Sequence, residues 1–174
     1  MTNWRVRDAV AQDVPDIIRM IKDLAVYEKE LESRVKLTEE EMLRDGFGDK
    51  PWFECVIADE INFNEGNNCL PKKKPVGYAL FFYIYSTWEG RSLYLEDLYV
   101  NPAFRGKGIG TDMLRRISAI AVEKSCVRVD WSCLNWNKTA KDFYGKLGAV
   151  CLDEWQLYRL NGERLLEFAG KKHK

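Results

Sequence analysis

Three glycines, Gly106, Gly108 and Gly110, alternate with Lys107 and Ile109 between Arg105 and Thr111. An apolar, strand-like run (residues 92–100) leads into them, and a stretch of helical periodicity follows. A strand, a glycine turn and a helix start in that order make an anion site. The first amides of a helix have no partner within it, its dipole favours negative charge there, and glycine lets a ligand approach the backbone. Arg105 and Lys107 add positive charge. The Gly-Lys-Ser/Thr end of a P-loop is missing, and G-x-G-x-G spacing does not fit the G-x-G-x-x-G of a dinucleotide fold. Taken alone, the triplet also fits a flexible turn before an ordinary helix.

Two further features could do acid–base chemistry. Glu96 and Asp97 interrupt the apolar strand. Strand alternation would put them on opposite faces, so at least one faces a covered surface, where burial raises a carboxyl pKa and makes it a better base near neutral pH. A structural carboxylate held by amides or an arginine would look the same. Tyr144 lies on a helical face with Ala140, Phe143 and Leu147, either as a core tyrosine or as a phenol at a cleft edge that can donate a proton. Histidine is almost absent: the single one is His173, in the terminal Lys171-Lys172-His173-Lys174. Ser-His-Asp, Cys-His and His-ligated metal chemistries are therefore set aside, and no metal is expected. The five cysteines (Cys55, Cys69, Cys126, Cys133, Cys151) form no C-x-x-C and are odd in number, as expected of reduced thiols in the cytoplasm. Four lie in apolar stretches and read as small core residues.

These groups must be positioned by a mixed α/β layer fold. The pattern predicts strands over residues 4–9, 52–59, 75–88, 92–100, 126–134 and 150–160. Helices are predicted from Asp13, as N-cap with Pro15 in the first turn, and from Thr38, whose Thr-x-x-Glu spacing to Glu41 is a capping box. Further helices are expected over residues 108–124, 137–147 (Asn137 as N-cap, Gly148 just past the end) and 162–169. Ile17, Ile21, Leu24 and Ala25 share a face that ends in Tyr27 and Glu28; these last two read as a solvated helix end. The polar stretch 62–74, with Lys72, Lys73 and Lys74, reads as an exposed hairpin loop. At 174 residues the chain is one domain's length. Its 46% apolar and 31% charged composition excludes disorder. Charge is balanced at 27 basic and 27 acidic residues, which argues against a nucleic-acid partner. No apolar run reaches the roughly 20 residues of a membrane span, and the N-terminus lacks a signal-peptide core.

Here a resemblance becomes specific. Arg105-x-x-Gly108-x-Gly110 resembles the acetyl-CoA loop of the GNAT superfamily of N-acetyltransferases. Trp136-Asn137, Phe143-Tyr144 and Leu147-Gly148-Ala149 are similar to its next helix. The run from Ile17 to Glu28, then Asp45-Gly46-Phe47-Gly48 and Tyr94-Leu95-Glu96-Asp97, resembles the diamine (spermidine/spermine) acetyltransferase family over residues 4–168. The resemblance implies a GNAT fold: a mixed, mostly antiparallel central sheet with helices on both faces, in a single N-acetyltransferase domain spanning residues 1–174. It implies acetyl-CoA as co-substrate. The backbone of Leu98 and Val100 would pair with the pantetheine arm, and the amides of Arg105, Gly106, Lys107, Gly108, Ile109, Gly110 and Thr111 would hold the pyrophosphate. Asn137, Lys138 and Tyr144 would lie along the cofactor. Tyr144 would be the general acid for the CoA thiolate, and Glu96 the base acting through water. Tyr27, Glu28, Glu96, Ser86, Asp130, Trp131 and Ser132 would line the substrate side. A homodimer is implied as well.

The chemistry agrees. A lysine-like amine, with a pKa of about 10.4, arrives as ammonium and must lose a proton before attacking a thioester. No cysteine stands beside a base, so direct transfer is expected rather than an acyl-enzyme. One departure bears on the substrate. Ser86, in Tyr85-Ser86-Thr87-Trp88, is neutral where polyamine enzymes are acidic, and Ser-Thr resembles the thialysine branch. Thialysine is therefore the expected small amine substrate, with diamines and polyamines weaker. The alternatives are a diamine/polyamine acetyltransferase proper, an enzyme acting on protein amines, a non-catalytic acyl-CoA-binding module, and an RNA-linked protein using the lysine run.

Overall fold

β1 (Asn3–Asp8) leads through a 3₁₀ turn into α1 (Val14–Tyr27); α2 (Glu39–Phe47) and β2 (Glu54–Asn62) follow. Next come β3 (Lys72–Ser86), β4 (Gly90–Val100), α3 (Ile109–Glu123), β5 (Val129–Trp131), α4 (Lys138–Lys146) and α5 (Gly162–Phe168). The computed structural model describes residues 3–62 and 72–171; Cys69 and His173 lie outside them. Contacts divide the chain into two units, Met1–Ser132 and Cys133–Lys174.

In the first unit the strands form one sheet in sequence order, β1-β2-β3-β4-β5. The first three pairings are antiparallel, and β4–β5 is parallel. Helices cover both faces. On one face Val14, Ile17, Ile18 and Met20 of α1, with Met42 of α2, pack on Cys55, Ile57, Tyr78, Leu80 and Tyr99. On the other, α3 buries Met113, Leu114, Ile117 and Ile120. A Cβ at Gly77 would lie 2.8 Å from the Tyr99 carbonyl and 3.2 Å from the Met113 methyl, so only glycine lets α3 settle there.

The predicted caps are partly realised. Thr38 and Glu41 make the reciprocal capping box. Asp13 occupies the N-cap position of α1 but caps no α1 amide with its side chain. Its carboxylate instead takes both Arg7 terminal nitrogens at 2.6 and 2.8 Å and the Val10 amide at 2.8 Å. Arg7 Nε also reaches the buried Asp59 at 2.7 Å, so one guanidinium ties β1, β2 and the start of α1 together.

Three expectations change. The lysine run is not a loop tip: Lys72, Lys73 and Lys74 pair with Asn62, Ile61 and Glu60 at the start of β3, while residues 63–71 lie outside the described ones. The strand expected over 126–134 shortens to three residues. Residues 150–160 form no strand at all and are exposed from Val150 through Leu160. Their apolar content suggested a strand, but a strand exists only by hydrogen-bonding to a neighbour, and among the described residues none pairs with this segment. Of the four described cysteines only Cys55 is buried, and Cys151 is fully on the surface, so apolar neighbours in sequence did not signify burial.

Asp59→Ala leaves Arg7 with half its counter-charge in a covered position. It should lower stability by about 3 kcal/mol in urea unfolding, the scale for breaking a buried ion pair; a loss below about 0.5 kcal/mol would mean the Asp13 pair suffices.

Candidate active site

The site begins with a fault in β4. Leu80 pairs with Asp97 but the next residue, Phe81, pairs with Leu95, so Glu96 is an extra residue in the ladder. This bulge breaks the alternation expected of the strand. Phe82 stacks on Tyr94 at 5.4 Å and Tyr78 on Tyr99 at 6.1 Å, so Tyr94, Asp97 and Tyr99 share the α1 face. Leu93 and Leu95 are buried on the other face, opposite Tyr83 and Phe81. Glu96 itself is exposed, and the covered carboxylate of the doublet is Asp97.

The bulge also ends the sheet. β5 pairs with β4 only through Leu93, Leu95 and the residue between them, Tyr94. Beyond Leu95 β4 keeps β3 on one side and, among the described residues, has no strand on the other. The Asn101 amide donates to Val76 O of β3 at 2.8 Å. Because orientation alternates along a strand, the polar groups of Val100 and Leu98 face away from β3, onto that open edge. The Val100 carbonyl is met there by Arg105 Nε at 2.8 Å.

The open edge runs straight into the glycine loop. Gly106 (φ +74°) and Gly108 (φ +98°) are left-handed, a region open mainly to glycine. Gly108 is the N-cap of α3, and its carbonyl accepts the first intrahelical bond, from Asp112 N at 3.0 Å. The amides of Ile109, Gly110 and Thr111 therefore have no partner within the helix. Arg105 does not simply wait as a free cation. Its guanidinium lies 4.5 Å from the Tyr27 ring centre and 6.0 Å from that of Tyr99, clamping the end of α1 to the loop. Lys107 stands over Phe104 at 4.8 Å.

The end of α1 is therefore more than a solvated helix end. Glu28, its C-cap, is half-buried, and its carboxyl is raised by burial and then by the charges of Asp97 and Glu30. Asp97 is raised chiefly by burial and further by Glu96, while a 2.9 Å hydrogen bond from the Tyr78 phenol acts in the opposite sense. A cation arriving here would meet carboxylates that are costly to keep charged without it.

The remaining expected residues are placed as follows. Ser86 Oγ accepts from Trp88 N at 3.3 Å and Glu89 N at 3.2 Å, capping the β3–β4 turn while keeping its own hydrogen to donate. Asp130 receives Arg128 Nε at 2.8 Å, and Arg128 also pairs with Glu89. Ser132 Oγ lies 2.7 Å from Tyr94 Oη, and Trp131 is half-buried at the end of β5. In the second unit Asn137 caps α4 by accepting from Ala140 N at 3.1 Å, and Lys138 pairs with Asp142 at 2.6 Å. Burial, with a smaller push from Cys133, raises the Tyr144 phenol to about 12, so it is a proton-bearing donor at neutral pH. Asp97 and its Tyr78 partner escaped the sequence reading in these roles. The Glu-Asp doublet in an apolar strand was the visible signal; the bulge that sorts the two was not. Among the described residues no cluster of His, Cys, Asp or Glu could hold a metal, and no helix is long and apolar enough to cross a membrane.

The chain is similar to known proteins. The acetyltransferase (GNAT) family model matches residues 24–149. A thialysine N-epsilon-acetyltransferase of Sus scrofa is 42% identical over 98% of this chain and 100% of its own length. A spermidine/spermine N(1)-acetyltransferase-like protein 1 of Homo sapiens is 41% identical over 99% of this chain, which spans 24% of that longer protein. Among solved structures, an integron cassette protein from V. cholerae superposes with a TM-score of 0.73 at 22% identity, covering 95% of this chain and 97% of its own. The fold, the family match and the full-length relatives agree: the chain belongs to the GNAT family of acetyltransferases.

Proposed function

We propose that this acetyltransferase moves the acetyl group of acetyl-CoA to the primary amine of a small cationic substrate, thialysine in preference to diamines and polyamines. The observation that carries the reading is the β4 edge that has no neighbouring strand among the described residues, running into the first amides of α3, which have no partner within the helix. An amide-bearing pantetheine arm suits the Leu98 and Val100 edge, and a pyrophosphate suits the Gly106–Thr111 amides beside Lys107. GNAT acetyltransferases use acetyl-CoA as acyl donor, and the thioester supplies an acyl carbon open to attack by an amine. The full-length relatives named for thialysine support the choice of acceptor. The human spermidine/spermine-like relative supports the second reading, a polyamine acetyltransferase.

In this reading each residue has a defined task. Tyr27, Glu28, Ser86, Asp130, Trp131 and Ser132 line the acceptor side, and acidic groups there draw in the ammonium. Glu96, solvent-exposed at the bulge, takes the ammonium proton through water, leaving the amine lone pair free to attack. Tyr144 is the general acid. A phenol at about 12 is a weaker acid than a thiol at about 8.5, so its help is greatest as a hydrogen bond to charge developing on sulfur. Asn137 and Lys138 lie along the cofactor. One N-acetyltransferase domain spans residues 1–174 and works in the cytoplasm as a homodimer, without nucleic-acid or membrane partners.

Purified protein assayed with acetyl-CoA and an amine panel should acetylate thialysine with a higher kcat/KM than spermidine. A chain that acetylates no amine would overturn the proposal. Gly108→Val forces a β-branched residue to a φ of +98° at the helix start. It should weaken acetyl-CoA binding by calorimetry at least tenfold while the far-UV spectrum is kept; unchanged affinity would remove the cofactor from this loop. Tyr144→Phe should lower kcat about 10²-fold, the scale of general acid–base help, with much less change in acetyl-CoA affinity. Ser86→Asp places a carboxylate at the turn and can still cap it. It should narrow the thialysine-to-spermidine ratio by up to about fivefold, the scale of a solvated ion pair; an unmoved ratio would refute the electrostatic account of selectivity.

A further inference from the structure

Tyr78 is the largest fully buried side chain of the sheet and carries a polar end that the fold must satisfy. It spends that end on Asp97, with the phenol donating to Oδ2 at 2.9 Å. The ring is fixed by Tyr99 at 6.1 Å and by its place in the core between α1 and the sheet. The phenol is raised well above its ordinary range, by burial first, so it stays protonated and always offers its hydrogen. Asp97 follows the Glu96 bulge directly and would have no such partner if β4 kept its alternation, because Leu80 and Tyr78 lie on the face to which the bulge turns it. The Tyr78 bond engages one Asp97 oxygen, Oδ2. The charged or titratable groups around Asp97 are Tyr78 on β3, Cys55 on β2, Glu28 at the end of α1 and Glu96 beside it on β4. Among the described residues the charges that act on Glu28 and Asp97 are those of other carboxylates, while the Arg105 guanidinium is engaged by Tyr27, Tyr99 and the Val100 carbonyl.

We propose that Tyr78 is a positioning residue for the amine substrate, holding Asp97 so that the Asp97 and Glu28 carboxylates present one joint counter-charge to the substrate ammonium. The inference deepens the amine-acetylation reading and rests on it. Tyr78 acts only through Asp97, so its removal should affect the capture of the cation and leave the transfer step largely alone. The hydrogen bond favours the ionised carboxylate, and without it Asp97 keeps its proton to higher pH. The acid limb of kcat/KM must then move up, not down.

The test compares wild type, Tyr78→Phe and Asp97→Asn, the last retaining an oxygen for the Tyr78 phenol. Asp97 is followed by carboxyl-carbon NMR of aspartate-labelled protein, and kcat and KM are measured across pH with the best amine of the panel. Tyr78→Phe should raise the Asp97 titration midpoint by about one unit and move the acid limb of kcat/KM by the same amount, the scale of one charge-assisted hydrogen bond. KM for the amine should rise about tenfold at pH below the acid limb, with kcat and acetyl-CoA affinity within about threefold. Asp97→Asn should raise amine KM by at least as much and abolish the difference made by Tyr78→Phe in the double variant. An unmoved Asp97 midpoint, a moved midpoint with an unmoved acid limb, or an Asp97→Asn protein with wild-type KM would each overturn the proposal. Because the NMR titration needs no turnover, it separates the cases: if no amine is acetylated by wild type, the functional reading fails and takes the substrate role with it, whatever the Tyr78–Asp97 bond shows.

Discussion

A strand inside a sheet must satisfy its backbone on both sides, and β4 does so on both sides only as far as Leu95. The single extra residue, Glu96, re-aims everything beyond it. It ends the pairing with β5, turns Asp97 and Tyr99 onto the α1 face, and leaves the Leu98 and Val100 polar groups on an open edge. An open edge is usually a liability, because it invites pairing with another chain. Here it is short, lies beside a glycine loop and is partly occupied by Arg105 at the Val100 carbonyl. An extended, amide-bearing ligand can complete it as a neighbouring strand would.

The groups around that edge are held from outside the strand. Gly77 lets α3 approach β3 and β4, setting where the helix begins. Gly108 turns the chain so that its carbonyl starts the helical ladder while the next three amides remain outside it. Arg105 fastens the loop to Tyr27, so the acidic end of α1 is carried to the same part of the molecule as the glycine turn. At the far side of the sheet the Arg7–Asp13–Asp59 cluster fixes where α1 starts. The position of Glu28 at the helix end is thus set by contacts at both ends of α1.

The acidic and anion-binding halves divide the chemical work by charge. Amides and Lys107 suit the phosphates of the donor, whereas Glu28, Glu96 and Asp97 suit a cationic acceptor. A chain with no net charge thus carries local groups of both signs. Charge already present on Asp130 is tempered by Arg128, which also holds Glu89 near the Ser86-capped turn. The β3–β4 turn is therefore less acidic than its carboxylate content suggests.

Local chemistry in the sequence was enough for the helices and for the glycine turn that opens α3. The G-x-G-x-G loop, the Thr38–Glu41 box, the Asn137 cap and the apolar faces of α1 and α3 depend on residues within a few positions of one another, so composition and spacing determined them. Met113, Leu114, Ile117 and Ile120 are buried at helical spacing, because burial there follows the helix's own geometry. Strand pairing was different. The absence of a strand over 150–160, the three-residue length of β5 and the bulge at Glu96 depend on which backbone lies alongside, and no local pattern records that. For the same reason residue pattern alone did not say which of Glu96 and Asp97 is the covered one. Only the tertiary structure distinguished them, by slipping the β3–β4 register one residue at Leu80 and Phe81 and bringing Tyr78, nineteen positions away, to Asp97.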